Sequence, residues 1–432
     1  MKNDVNDVFY FFQLENKDMH KKIAENTFSQ TLAKIFSSGT GFLITILVAR
    51  YFGVTGYGDF VKITSFVALF YLIVDFGINA IFLREDEKLS HFKDVFYLRL
   101  FLSFGIFVVS NLIALLLPYN NMLGIGFSAP VKLGIFIFSF TLFFQSIIYS
   151  TSAVFQKELK YNLYSYSVIL GALTNLFFVV VAILLRGSIF AILASYLIAS
   201  LVTAVLGIVF SRRKIFPFSF NLVFSKKLIL SSLPLGIMLV FNLVYFRVDT
   251  ILLSLLKTSD DVGIYGLSYK FFDFLVALPL FLSNSLYPFL LQNKKNTRKF
   301  FHLVWDYLLI FTLIGIFLII PFLFLSPLFT LIRKEYISSV LPFNYLLFSL
   351  PIFFITSLLQ WTLITLGRQK FLMWTYLFST VINISLNLIF IPLFSYYASA
   401  IITGVTELLV MIILGIKLNS LKILLERDIQ NE

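Results

Sequence analysis

The chain has 432 residues, 59% of them hydrophobic and only 13% charged, with a net charge of +12 and a mean hydropathy of +0.92. So few polar residues cannot coat a globule of this size, which excludes a soluble protein and points to a polytopic membrane protein. With no cysteine, disulfides, thiolate metal sites and a cysteine nucleophile are excluded as well.

Residues 1–26 are polar and read as a cytoplasmic tail without a cleaved signal peptide, because the apolar run that follows is too long for one. Val5, Val8, Phe9 and Phe12 recur at helical spacing ahead of Lys17, Lys21 and Lys22. That pattern fits a helix lying on the membrane surface or, equally, a frayed tail.

From Thr27 onward the apolar runs last roughly 20 residues rather than alternating over about 10, so helices are expected and a β-barrel is not. Thr27 to Tyr51 and Phe60 to Leu83 form a hairpin of two spans, with a turn expected at Gly53, Gly56 and Gly58. The same reasoning gives about twelve spans in all. The later ones run near Val95 to Leu117, Lys132 to Phe155, Tyr164 to Leu185, Ser188 to Phe210, Leu228 to Leu256, Leu267 to Leu291, Leu303 to Leu325, Leu341 to Leu366, Phe371 to Leu393 and Tyr397 to Ile416. Pro279 and Pro351 fall inside spans and should kink them.

The longest loop, residues 211–227, divides the spans six and six. The expected organisation is a six-helix bundle over 27–210, a cytoplasmic linker over 211–227, a second six-helix bundle over 228–416 and a cytoplasmic tail over 417–432. Shifting the first hairpin along the chain places Gly58 on Gly263, again at an expected turn between two spans. The halves therefore read as parallel repeats with pseudo-two-fold symmetry about a central cavity. Most of the 34 Lys and Arg residues fall on the loops that share a side with the N-terminus, which sets both termini in the cytoplasm. The net charge is thus a topology signal, and nucleic acid is not an expected partner.

Several stretches resemble the polysaccharide-unit flippases, typified by O-antigen flippases, of the superfamily that also holds multidrug exporters and lipid II flippases. They are ARYFGVTGYGDF (Ala49 to Phe60), DFG (Asp75 to Gly77), FRVDTILL (Phe246 to Leu253), VGIYGLSYKFFD (Val262 to Asp273) and NISLNLIFIP (Asn383 to Pro392). Val54 stands where that family often has proline, and Ala398 near a common glycine. The resemblance implies a multi-pass protein of the bacterial inner membrane that moves an undecaprenyl-diphosphate-linked oligosaccharide from the cytoplasmic to the periplasmic leaflet. It implies no cofactor, alternating access coupled to an ion, and a polysaccharide polymerase and a chain-length regulator as partners. A multidrug exporter is the nearest alternative. A membrane glycosyltransferase or polymerase is a further one, disfavoured by short outer loops poor in carboxylates, and no phosphate-binding loop signals an ATP-driven motor.

A diphosphate and its sugars cannot cross hydrocarbon undressed, so cations and polar groups are needed inside the membrane. Candidate cavity cations are Lys34, Arg50, Arg247 and Lys270, although Arg50 at a span end can simply snorkel to headgroups. Lys270 and Asp273, one turn apart, can instead satisfy each other. Arg247 and Asp249, two residues apart, point to different sides and need partners elsewhere. Glu407, mid-span with no cation near it in sequence, is the candidate coupling carboxylate, and Asp75 reads as an interfacial cap. Asn242, Tyr245, Asn383 and Asn387 are candidate sugar contacts, with hydrogen bonding between helices as the competing reading. Asn175 and Gln145 carry the same two readings.

Overall fold

The computed structural model describes the backbone of residues 3–86, 89–294 and 296–431. Side chains at 3–28, 85, 238, 242 and 426–431 lie outside the described ones, and with them the apolar stripe from Val5 to Phe12. Apart from a two-residue hairpin of β1 (Tyr119–Asn120) and β2 (Ile125–Gly126), the chain is helical. Its helices are α1 (Asn3–Asp75), α2 (Ile78–Glu85), α3 (Phe92–Leu116), α4 (Ala129–Ser139), α5 (Thr141–Lys157), α6 (Tyr161–Leu184) and α7 (Ile189–Ser211). They continue with α8 (Leu222–Leu256), α9 (Ser259–Asn293), α10 (Thr297–Leu325), the one-turn α11 (Phe329–Ile332), α12 (Val340–Thr365), α13 (Gln369–Phe394) and α14 (Tyr396–Asn431).

Among the described residues, 11 segments are long and apolar enough to cross a membrane. The first, Ser29–Arg84, has 56 residues, about twice what one crossing of roughly 30 Å needs at about 1.5 Å per residue. It holds two crossings, so the expected twelve spans stand. The protein is an all-α polytopic membrane protein. Pro279 and Pro351 lie inside helices as expected, and so do Pro234, Pro288, Pro321 and Pro392.

The first hairpin departs from the expected turn. Only Gly53 leaves helical geometry (φ 72°, ψ −169°), and the helix resumes at once. Tyr336 donates its hydroxyl to the carbonyls of Gly53 (3.2 Å) and Ala49 (3.4 Å), which takes up backbone acceptors freed at the kink. Gly56 and Gly58 remain helical. The expected turn at Gly263 is likewise inside a helix, since α9 starts at Ser259 behind a capping box of Thr258 and Asp261. A second break, absent from the sequence reading, falls at Phe76 and Gly77, both at positive φ (45° and 67°). It separates α1 from α2.

Packing divides the chain into two compact units that do not follow the sequence halves. Unit 1 comprises residues 1–44, 70–112 and 136–236, and unit 2 comprises 45–69, 113–135 and 237–432. Within unit 2 the repeat-related glycines meet each other. A Cβ on Gly58 would fall on the Ser259 carbonyl, and one on Gly263 would fall on the Val54 carbonyl. Small residues permit this backbone approach in a membrane, where apolar side chains gain nothing by leaving lipid. Ser259 also donates a hydrogen bond to Asp59 at 2.6 Å. Lys62, counted in the sequence as a loop charge, is fully buried and donates to the Gly126 carbonyl at 2.7 Å.

In unit 1, Asp75 is not an interfacial cap. It ends the first stretch of the broken helix and pairs with Arg99 of α3 at 3.0 Å, the arginine side chain being fully buried. Arg99 also lies 6.0 Å from the Tyr149 ring, while its Nε and Nη1 find no acceptor among the described residues. Removing one partner of such a pair strands the other, at a cost of about 3–5 kcal/mol. Asp75→Ala is therefore expected to lower the melting temperature and the folded yield, and Asp75→Ala combined with Arg99→Met to recover most of both. A single variant as stable as the parent in a thermal unfolding assay would contradict the pairing.

Candidate functional site

Four charged groups inside the spans of unit 2, Arg247, Asp249, Lys270 and Asp273, lie on α8 and α9. A two-residue separation turns Arg247 and Asp249 to different sides of α8, at about 100° per residue. Arg247 reaches Asp273 of α9 at 2.8 Å and lies 5.4 Å from the ring of Tyr269. Tyr269 is itself fixed, because its hydroxyl donates to the Phe246 carbonyl at 2.9 Å. Both partners keep some exposure, 35% for Arg247 and 30% for Asp273. Lys270 stands one turn before Asp273, half-buried. The local pairing of Lys270 with Asp273 is thus replaced by a pairing between helices, and the group holds two cations to one carboxylate.

On its other side α8 presents Asp249, 3% exposed, to hydroxyls, with Arg247 within electrostatic reach. It accepts from Tyr265 of α9, from Thr403 of α14 at 3.4 Å and from the backbone N–H of Thr250 at 2.6 Å. Glu407 of α14 is held in the same manner. It is 2% exposed and accepts from Tyr245 at 2.8 Å and from Thr356 of α12. A buried carboxylate surrounded by hydroxyls has the donor set to exchange a proton or to ligate a small cation. Among the described residues no three acidic or histidine side chains cluster as a metal centre.

The remaining predicted residues divide cleanly. Asn383 donates to Thr406 at 3.0 Å, and Asn387 donates to the side-chain and backbone oxygens of Asn383 at 2.8 and 2.9 Å. Both are buried; the Asn383 bond joins α13 to α14, whereas those of Asn387 stay within α13. Tyr245 is likewise buried and spent on Glu407. The Asn242 side chain lies outside the described ones. Lys34, in unit 1, and Arg50, in unit 2, are both exposed on α1. Gln145 and Asn175 line a cavity of unit 1 together with Thr141, Tyr164 and Tyr196, and no charged residue lines it.

Sequence reasoning missed Arg99 and Lys62, both read as loop charges. Their signal was the apolar residue on each side of them, Leu98 and Leu100, Val61 and Ile63. Outside the spans, Glu158 joins Lys160 (2.8 Å) and Arg213 (2.5 Å). Partial burial pushes its carboxyl up, but the two cations outweigh that and hold it below the usual carboxylate range.

The sequence model of the family described as "Polysaccharide biosynthesis protein" matches residues 23–294, well over half of the chain. A second family model, MatE, matches residues 234–389. No curated protein matches by sequence. Among solved structures, the lipid II flippase MurJ in an inward closed conformation superposes with a TM-score of 0.74 at 16% identity, over 90% of this chain and 87% of that one. An inward-facing multidrug resistance MATE transporter of the MOP superfamily gives 0.73 at 12% identity, over 91% and 96%. An outward-facing structure of a MATE transporter of that superfamily gives 0.62 at 12%, over 93% and 94%. At these identities the likeness is one of fold.

Proposed function

Because the chain belongs to the polysaccharide biosynthesis protein family, we propose that it is a flippase for an undecaprenyl-diphosphate-linked oligosaccharide, of the O-antigen repeat-unit kind. It carries this lipid from the cytoplasmic to the periplasmic leaflet of the bacterial inner membrane by ion-coupled alternating access. The observation that carries the reading is the group formed by Arg247, Lys270 and Asp273. Cations cost several kcal/mol at such depth and persist where they face a polar ligand or a partner. Asp273 pairs with Arg247, Asp249 also lies within electrostatic reach of that arginine, and the two cations of the group suit a diphosphate. Asp249 and Glu407, held by hydroxyls, are the coupling carboxylates of this scheme.

The MatE match favours drug export as the second reading. An exporter of cationic drugs calls for carboxylates in the first half of the chain, whereas the cavity of unit 1 is lined by neutral groups. Purified protein in vesicles should move a fluorescent undecaprenyl-diphosphate oligosaccharide between leaflets and leave ethidium in place. Ethidium transport without lipid movement would reverse the choice.

Orientation follows from the Lys and Arg asymmetry. Reporter fusions are expected to place both termini and the 211–227 loop in the cytoplasm, with the Gly53 kink and the start of α9 toward the periplasm. A periplasmic C-terminus would break the six-plus-six scheme.

A further inference from the structure

Unit 1 contains a cavity of about 390 Å³, inside the range of roughly 300–1,000 Å³ that small-molecule sites occupy. It lies within the membrane-spanning stretches of α1 and α4 to α7, yet no Lys, Arg, His, Asp or Glu lines it. A cation would find no carboxylate there and an anion no cation. An apolar guest would leave the buried Asn175 Oδ1, which has no partner among the described residues, without a hydrogen bond, which costs free energy in a low-dielectric interior. What remains is an uncharged guest with many hydrogen-bonding groups.

The hydroxyls of the wall narrow this further. Thr40 donates to the carbonyls of Phe36 and Ser37, both at 3.0 Å, and Ser200 and Thr203 donate to Tyr196 and Ala199, both at 2.9 Å. A hydroxyl has one proton but two lone pairs, so these groups have used their donors on their own helices and keep acceptors in hand. Gln145 and Asn175 bring amide groups to the same wall. Tyr71, Tyr164 and Tyr196 bring aromatic rings, whose faces can pack against apolar C–H surfaces. A pyranose combines all the matching features: several hydroxyl donors, no charge and one C–H face.

The fold also keeps the space open. Gly41 lines the cavity, and a Cβ built on it would meet no heavy atom within 4 Å. Gly171, by contrast, lines the cavity against Thr203, so a side chain there would collide with a neighbouring helix.

We propose that this cavity is a sugar subsite that binds one neutral pyranose ring of the transported glycan by hydrogen bonds and contact with tyrosine rings. The claim that the sugar belongs to the transported lipid rests on the flippase reading, while the claim that the cavity binds a neutral sugar does not.

The test is saturation-transfer NMR on the purified full-length protein in detergent, with glucose, galactose and N-acetylglucosamine each as probe. At least one should bind saturably. The Cβ of Gly41→Leu enters open space, so the variant should fold with a melting temperature near the parent's and bind at least tenfold more weakly. If that variant does not fold, Gln145→Leu is expected to weaken binding at least tenfold in its place. No saturable binding by any of the three sugars, or binding unchanged in the folded variants, overturns the proposal. Sugar binding that is lost in Gly41→Leu, in a protein whose vesicles move no lipid-linked oligosaccharide, would leave the subsite standing and remove the flippase reading. Vesicles that move the lipid, with sugar binding indifferent to Gly41→Leu, would do the reverse.

Discussion

Arg247→Ala is expected to reduce glycan export to background while the protein accumulates at its normal level. Losing one charge-assisted contact to a diphosphate in a partly desolvated site costs about 2–5 kcal/mol, roughly 30- to 4,000-fold in transport. Stability should survive, because the Arg247–Asp273 pair is about one-third exposed on each side and Lys270 stands one turn from Asp273 to take its place. Arg247→Lys should retain part of the activity, since the charge remains but the planar fork and its stacking on Tyr269 do not. The double variant Arg247→Ala with Asp273→Ala separates binding from structure. If the arginine served only to neutralise Asp273, removing both would restore export. If it holds substrate, the double variant stays inactive. Full export by Arg247→Ala would end the assignment, and export measured as surface glycan against protein level in the membrane reads all three variants.

Crosslinking cysteines placed at Thr55 and Asp260 is expected to stop transport, and reduction to restore it. The chain has no native cysteine to confuse the experiment, and both positions are exposed. They flank the place where Gly58 packs on Ser259 and Gly263 on Val54. That contact consists of backbone approach between small residues and one side-chain hydrogen bond, Ser259 to Asp59. Such a contact is tight in one state and inexpensive to open, because glycines bury little area and the hydroxyl and carboxylate can each turn to water. In alternating access this end of the molecule must part for substrate to leave, and a covalent tie forbids it. A cleavable bifunctional thiol reagent and the vesicle assay give the measurement. Full transport by the tied protein would exclude the rocking mechanism and favour a passive groove.

The class of the molecule, the number of its spans and the need of Arg247 and Asp249 for separate partners were all legible from the chain alone. Each depends on a local or averaged quantity: apolar length against bilayer thickness, composition against surface, and the 3.6-residue period of a helix. The isolation of Glu407 from cations was legible for the same reason, and in the fold it sits among hydroxyls.

Only the tertiary structure decided who pairs with whom. Asp273 takes Arg247 from the neighbouring helix and leaves Lys270, its candidate one turn away. Asn383 turns into the seam with α14, and Asn387 bonds back to it along α13. Arg99 and Lys62 are buried against Asp75 and the Gly126 carbonyl. Gly58 and Gly263, each read as part of a turn, became packing surfaces, and an unexpected break fell at Phe76 and Gly77. The physical reason is common to all of these. A buried polar group or a glycine takes its role from the helix that stands beside it, and within a bilayer that neighbour is fixed by close packing and hydrogen bonds between distant segments rather than by residues nearby in the chain.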